Sequence, residues 1–324
     1  MDHIAETTTG HVRGAELEGV RVFKSIPYGA PTGGVNRFLP SQPVTPWSGV
    51  LDCTQFRSKA PQAGIAPPPR AELADFSGVP DPSPETEDCL NLNVWTPATD
   101  TAHRPAMVWL HGGAFSWGNS NASRVWGHRL ARKHDVVVVT VNQRLNIFGH
   151  LDLSAVGGEA YRHSGNAGTL DMVAALQWVR DNIAHFGGDP NNVTVFGESG
   201  GGAKVAVLLT MPRAVGLFHR AIIQSGAVVR LRTRERALAL TGHVMRQLGA
   251  SSVADLQSVP ISDLLAAIKP AQAALGASPY PLFDRYDFGP VVDGDIVPVH
   301  PFDPGASTVQ PDIPLIIGDM KQET

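Results

Sequence analysis

Val193-Thr-Val-Phe-Gly-Glu-Ser-Gly-Gly-Gly202 is an apolar run that enters Gly197-x-Ser199-x-Gly201 and continues into a stretch with helical character. Read as strand, sharp turn and helix, it is a nucleophile elbow. A serine there is held in a strained backbone conformation at the carboxyl end of a strand, tolerated because its neighbours lack bulk. The turn pushes the hydroxyl outward, and the positive end of the following helix favours negative charge beside it. A phosphate-binding loop is the competing reading of such a glycine-rich turn. It fails because Ala203 stands where G-x-x-x-x-G-K requires lysine, with Lys204 one place late.

Outward from this turn the chain alternates between strand and helix patterns. Residues 92–95, 106–110 and 136–141 are apolar on both faces, which predicts strands of a buried parallel sheet. Between residues 170 and 186, Leu176, Val179 and Ile183 recur at spacings of three and four, predicting a helix with one apolar face that stops at Gly187-Gly188. Further strands are expected at 193–196, 221–224 and 313–317, and helices at 200–209, 234–248 and 261–275. Residues 12–17 and 20–26, split by a Glu-Gly turn, read as antiparallel strands at one sheet edge. The proline-rich stretch 57–86 reads as a surface excursion, because proline removes a donor and restricts the residue before it. The fold class is α/β: a mainly parallel central sheet, helices on both faces and an antiparallel amino-terminal edge, in a single domain with no linker.

A second motif, His111-Gly-Gly-Ala-Phe115, directly follows the apolar run 106–110. Acyl transfer from an ester passes through a tetrahedral oxyanion, and backbone amides aimed at that oxygen each supply about 3 kcal/mol. The pattern assigns the amides of Gly113 and Ala114 to this task, joined by that of Gly200 just after the serine.

Composition narrows the partners. The 324 residues, 43% hydrophobic, are enough to bury a full core, and the formal net charge of −4 comes from basic and acidic residues mixed along the chain. No basic patch points to nucleic acid, and no run reaches the roughly 18 apolar residues of a membrane span. The polar start, residues 1–14, lacks the apolar region of a signal peptide, which predicts a cytoplasmic protein. No cofactor or metal motif is found, and a small neutral molecule fits best as partner.

Taken together the chain resembles the type-B carboxylesterases, which include bacterial para-nitrobenzyl esterases and the cholinesterases. The resemblance rests on both motifs and on Phe23-Lys-Ser-Ile-Pro-Tyr28, Arg37-Phe38, Glu87-Asp-Cys-Leu-Asn-Leu-Asn93, Asn142-Gln-Arg-Leu145, Asn166-Ala-Gly168, and Trp178-Val-Arg-Asp-Asn-Ile-Ala-His-Phe-Gly-Gly-Asp-Pro190. It implies an α/β-hydrolase fold and a Ser-Glu-His triad acting on carboxylic esters. Carbamate or amide hydrolysis by the same triad, and a non-catalytic binding role on the same scaffold, are the alternatives. The resemblance locates the acid at Glu323, after Ile313-Pro-Leu-Ile-Ile-Gly318, and implies that Glu198 tunes charge beside Ser199. Relatives close a disulfide onto the position of Cys89, but its partner position falls at Ala60, so Cys53 and Cys89 are expected to stay unbridged.

In this fold the triad follows the chain order serine, acid, histidine, and no histidine follows Glu323. The expectation is therefore that these 324 residues are the amino-terminal part of a longer enzyme, that the carboxyl-terminal part of the fold is missing, and that alone the chain is inactive or nearly so.

Overall fold

The apolar runs lie side by side. The computed structural model describes residues 3–62, 81–276 and 288–322. Its strands are β1 His3–Thr7, β2 Gly10–Leu17, β3 Val20–Pro27, β4 Val50–Asp52, β5 Asn91–Thr96, β6 Arg104–Leu110, β7 Val137–Val141, β8 Gly188–Glu198, β9 Arg220–Gln224, β10 Arg232–Thr233, β11 Val291–Val292 and β12 Leu315–Gly318. Ten of them form one sheet in the order β1-β2-β3-β5-β7-β6-β8-β9-β12, with β4 beside β2, while β10 and β11 pair separately. From β7 to β12 every pairing is parallel. Strand β2 runs antiparallel to β1 and to β3, the second pairing as the Glu-Gly turn between residues 17 and 20 predicts.

One expectation about direction fails. Strand β5, grouped by its apolar run with the parallel strands, is antiparallel to both β3 and β7. All six of its residues are buried. Leu92, Val94 and Trp95 report burial, with Asn93 buried among them, and burial carries no information about strand direction.

The helices are α1 His128–His134, α2 Asn146–His150, α3 Ala167–Asn182, α4 Gly200–Leu208, α5 Arg234–Leu248, α6 Val253–Ser258 and α7 Ile261–Leu275. Strand β7 shows how they divide between the two faces. Val137, Val139 and Val141 point into a core shared with α3 and α4, through residues such as Leu176, Val179 and Val205. Val138 points the other way, toward Ala131 of α1 and Trp95. Alternate residues thus feed opposite cores, the period of two that a strand imposes. The helices α5, α6 and α7 close a smaller core of their own with Phe38, Phe148 and Phe288.

Helix α3 is more deeply buried than its sequence suggested. Leu176 and Val179 face the sheet core as predicted, but Asp171 and Asn182 are buried as well. A second layer satisfies them: Arg144 donates to Asp171 Oδ1 and Oδ2 at 2.6 and 2.8 Å, and Asn182 accepts from the Thr8 amide at 2.7 Å. The helix runs on through a 3₁₀ turn, Ile183–Phe186, and ends at Gly187 in the left-handed conformation, φ 77°. The excursion 57–86 is described only at its two ends, which meet in a bridge between Lys59 and Glu85. No described helix is long and apolar enough to cross a membrane.

Cys53 and Cys89 are both free and buried, in line with the expected absence of a bridge. Burial pushes the Cys53 thiol up to about 12 and the Cys89 thiol higher still. In the folded protein neither thiol is expected to react with an aromatic disulfide reagent at pH 8, and denaturation without reductant should release both. Phe186, fully buried edge-on to Phe23 with ring centroids 5.0 Å apart, ties the end of α3 to β3. Phe186→Ala is expected to destabilise the fold by about 3–5 kcal/mol, read from chemical denaturation.

Candidate active site

Strands β6 and β8 are neighbours, with Leu110 opposite Gly197, so their carboxyl ends release the chain at the same point of the sheet. The chain order reverses here, because β7 lies on one side of β6 and β8 on the other. A crevice outside such a switch point is where open α/β sheets bind ligands.

Ser199 sits between β8 and α4 with φ 54° and ψ −122°, a conformation that a non-glycine residue adopts at a cost of about 1–3 kcal/mol. Its amide donates to Gln224 O at 2.8 Å, and its carbonyl accepts from Ala203 N at 3.0 Å. The backbones crowd together around it. A Cβ at position 201 would lie 2.0 Å from the Leu110 carbonyl oxygen, and one at position 226 would lie 2.1 Å from the Ser199 carbonyl oxygen. The sequence pointed to Gly201 but not to Gly226, which comes from β9 and meets the elbow only through the sheet. Its signal was Ser225-Gly226 directly after an apolar strand.

The loop after β6 approaches from the other side. Gly113 and Ala114 have φ of 87° and 56°. The Gly112 carbonyl faces His111 Nδ1 at 2.7 Å, and the Gly113 carbonyl accepts from Ser116 N and Trp117 N at 3.2 and 3.1 Å. A trans peptide points its C=O and N–H in opposite directions. Fixing these two carbonyls therefore turns the N–H groups of Gly113 and Ala114 the other way, and among the described residues neither makes a hydrogen bond. The amide of Gly200, first residue of α4, has no partner within its helix, as geometry requires of a helix start. A Cβ at position 200 would stand 2.1 Å from the Ala114 nitrogen. The three amides named by the sequence, on two backbone segments, are thus brought together beside Ser199.

His111 belongs to this loop and is buried beneath it. Its Nδ1 stands 2.7 Å from the Gly112 carbonyl oxygen, which can only accept, so a neutral ring places its proton there and turns a bare Nε2 toward Gln143 Nε2 at 3.1 Å. Burial, then the nearby Lys204, hold its imidazole well below the usual histidine range, so the ring is neutral. His150, which the sequence did not single out, is packed edge-on to Phe115, with burial pushing it down to about 3. His219 Nδ1 accepts from Val193 N and His300 Nδ1 from Leu231 N. Among the described residues the Ser199 hydroxyl makes no hydrogen bond to any histidine.

A cavity of about 290 Å³ opens in front of Ser199, walled by Phe115, Ala203, Leu231 and Pro290. Two arginines also line it. Arg230 pairs with Asp303, and the Arg232 guanidinium donates to the Gly289 carbonyl. Glu323 lies outside the described residues. The strand before it, β12, runs parallel to β9, with Gly318 O accepting from Ser225 N at 2.7 Å, and Asp319 reaches the cavity wall. Glu198 is exposed, with its carboxylate passing close to Gly112.

A model of the carboxylesterase family matches residues 1–324. The chain is 41% identical to a para-nitrobenzyl esterase of Bacillus subtilis, an alignment that takes in 100% of this chain and 63% of that protein. It is 36% identical to a carboxylesterase 1C of Rattus norvegicus, over 99% of this chain and 58% of that one. Among solved structures, a carboxylesterase of Geobacillus stearothermophilus superposes with a TM-score of 0.81 at 40% identity, covering 98% of this chain and 61% of the other. The chain spans about three fifths of the length of these relatives.

The crowding at the elbow has a measurable consequence. Gly226→Ala is expected to cost about 1–3 kcal/mol, because the added methyl meets backbone and not a movable side chain. Gly305→Ala, where nothing stands within 4 Å, should change stability by less than about 0.5 kcal/mol in the same denaturation experiment.

Proposed function

The chain belongs to the carboxylesterase family, and on that premise we propose that it hydrolyses small carboxylic esters by acyl transfer through Ser199. In the first step the Ser199 hydroxyl oxygen attacks the ester carbonyl while its proton passes to a base. The carbonyl oxygen becomes an oxyanion resting on the amides of Gly113, Ala114 and Gly200. When the tetrahedral intermediate collapses, the C–O bond to the alcohol breaks and the base returns the proton to the leaving oxygen. Water then repeats the sequence on the acyl-serine and releases the acid.

The observation that carries this reading is the set of three amides, unspent on other groups, beside a strained serine at a cavity wall. Donors fixed in advance cost no reorganisation during reaction, and each contributes about 3 kcal/mol to the transition state. Glu323 is assigned as the acid that orients the base and stabilises it once protonated; the support is its place after β12, whose carboxyl end reaches the cavity. The base is assigned to a histidine, the third member that the fold's serine, acid, histidine order calls for; His111 and His150, neutral and engaged, do not take that role. Glu198 tunes the charge beside Ser199, a role supported by the closeness of its carboxylate to the loop at Gly112. A cytoplasmic location belongs to the same reading, supported by two buried thiols left unbridged.

The full-length protein is expected to take up one fluorophosphonate per chain on Ser199, seen by mass spectrometry of the peptide, and Ser199→Ala to abolish both adduct and hydrolysis. Absence of the adduct would favour a binding role on this scaffold. Glu323→Gln should lower kcat by about 10²–10⁴-fold with the fold intact. Rates on matched ester, carbamate and amide series decide which acyl bond is the natural target, and esters are expected to lead.

A further inference from the structure

Helix α4 carries more of the site than Ser199 and Gly200. One turn after Gly200, on the same helix face, lies Lys204, a lysine with no exposed surface at all. Its Nζ donates to the His111 carbonyl oxygen at 2.8 Å and stands 3.5 Å from His111 Nδ1. Among the described residues no carboxylate pairs with it. Burying an amine without a counter-ion is costly, and burial holds Lys204 well below the usual lysine range. A methionine would fill the same space without that cost.

Among the described residues the His111 carbonyl is the nearest partner of this amine, and it explains where the amine is placed. His111 is the first residue out of β6, and its carbonyl marks the root of the loop that bears Gly113 and Ala114. The far side of that loop is fastened by Asn146, whose amide donates to Phe115 O at 2.6 Å, and by Gln62, which accepts from Gly118 N at 2.9 Å. Gln143 holds the His111 ring. Of these fasteners, Lys204 alone comes from the helix that also provides Gly200. A shift of the loop relative to α4 would move two of the three donors away from the third, and the Lys204 contact resists that shift.

We propose that Lys204 is a positioning residue that locks the oxyanion loop to the helix of the nucleophile, so that the amides of Gly113, Ala114 and Gly200 converge on one oxygen. The proposal rests on the ester-hydrolase reading of Ser199. It acts through the loop and places no atom of Lys204 on the substrate. Its effect belongs to the transition state, because the ground-state ester asks little of the oxyanion donors.

The test compares the full-length wild-type protein with Lys204→Met, which keeps the length of the side chain and removes its donors, and with Lys204→Gln, which keeps an N–H donor on a shorter arm. For Lys204→Met, kcat on an aryl ester is expected to fall about 10- to 100-fold, less than the loss of a donor outright, with KM within about threefold. Affinity for a trifluoromethyl ketone, whose tetrahedral adduct uses the same amides, should fall by the same factor as kcat, while the thermal midpoint does not drop. Lys204→Gln should lie between the two. Unchanged kcat and ketone affinity in both variants would overturn the proposal, as would activity losses in both that merely track a loss of folded protein. Failure of the wild-type protein to form a fluorophosphonate adduct would instead sink the reading of Ser199 itself.

Discussion

The structure turns on the contact between bare backbones where β6 and β8 end. The Leu110 carbonyl lies where a Cβ of residue 201 would be, the Ala114 nitrogen where a Cβ of residue 200 would be, and the Ser199 carbonyl where a Cβ of residue 226 would be. No side chain fits at these points. The parallel ladder imposes this closeness: β6 pairs with β8 up to Leu110 and Gly197, and β8 pairs with β9 up to Glu198 and Gln224. Once those strands are in register, their exits cannot separate. The strain at Ser199 is held by this framework, with cores on both faces of the sheet to resist its relaxation.

Much of this was legible in the sequence, because it lies in local pattern. The elbow can be read from ten consecutive residues, and the loop at His111 from the few that follow an apolar run. Helices α5 and α7 begin and end at the predicted residues, since both show a clear period and α5 is closed by Thr233 at one end and Gly249 at the other. The features that escaped are those decided between distant segments. Gly226 looks like any turn glycine until β9 is set beside β8. The antiparallel direction of β5 depends on how the chain returns to the sheet, and nothing in Asn91–Thr96 records it. Short helices such as α2 and α6 offer too few residues for a period to stand out.

Lys204 escaped for a further reason. In a sequence a lysine on a helix reads as a solvent-facing residue, and here it served only to reject a phosphate loop. Its burial follows from the position of α4, packed between the sheet and α3, with only Ala203 left partly open where the helix borders the cavity. The same packing makes Asp171 and Arg144 a buried pair, with Arg144 Nη2 and Asp171 Oδ1 2.6 Å apart. In both cases polarity in the core is visible only once the layer above it is known.

The ionic state of these buried groups bears on the geometry of the loop. A charged His111 would stand beside the Lys204 amine, so repulsion adds to burial in keeping the imidazole neutral. A neutral imidazole has one N–H, and the Gly112 carbonyl beside Nδ1 claims it, leaving Nε2 to accept from Gln143. That single tautomer holds the Gly112 carbonyl toward the ring, and the planarity of the peptide then sends the Gly113 N–H to the opposite side. The Lys204 contact at the His111 carbonyl and the imidazole contact at the Gly112 carbonyl fix two successive peptides, and the second of them aims the donor that faces the cavity. Each contact is short, which is why a lysine with no exposed surface can help set the direction of an amide two residues beyond the carbonyl it touches.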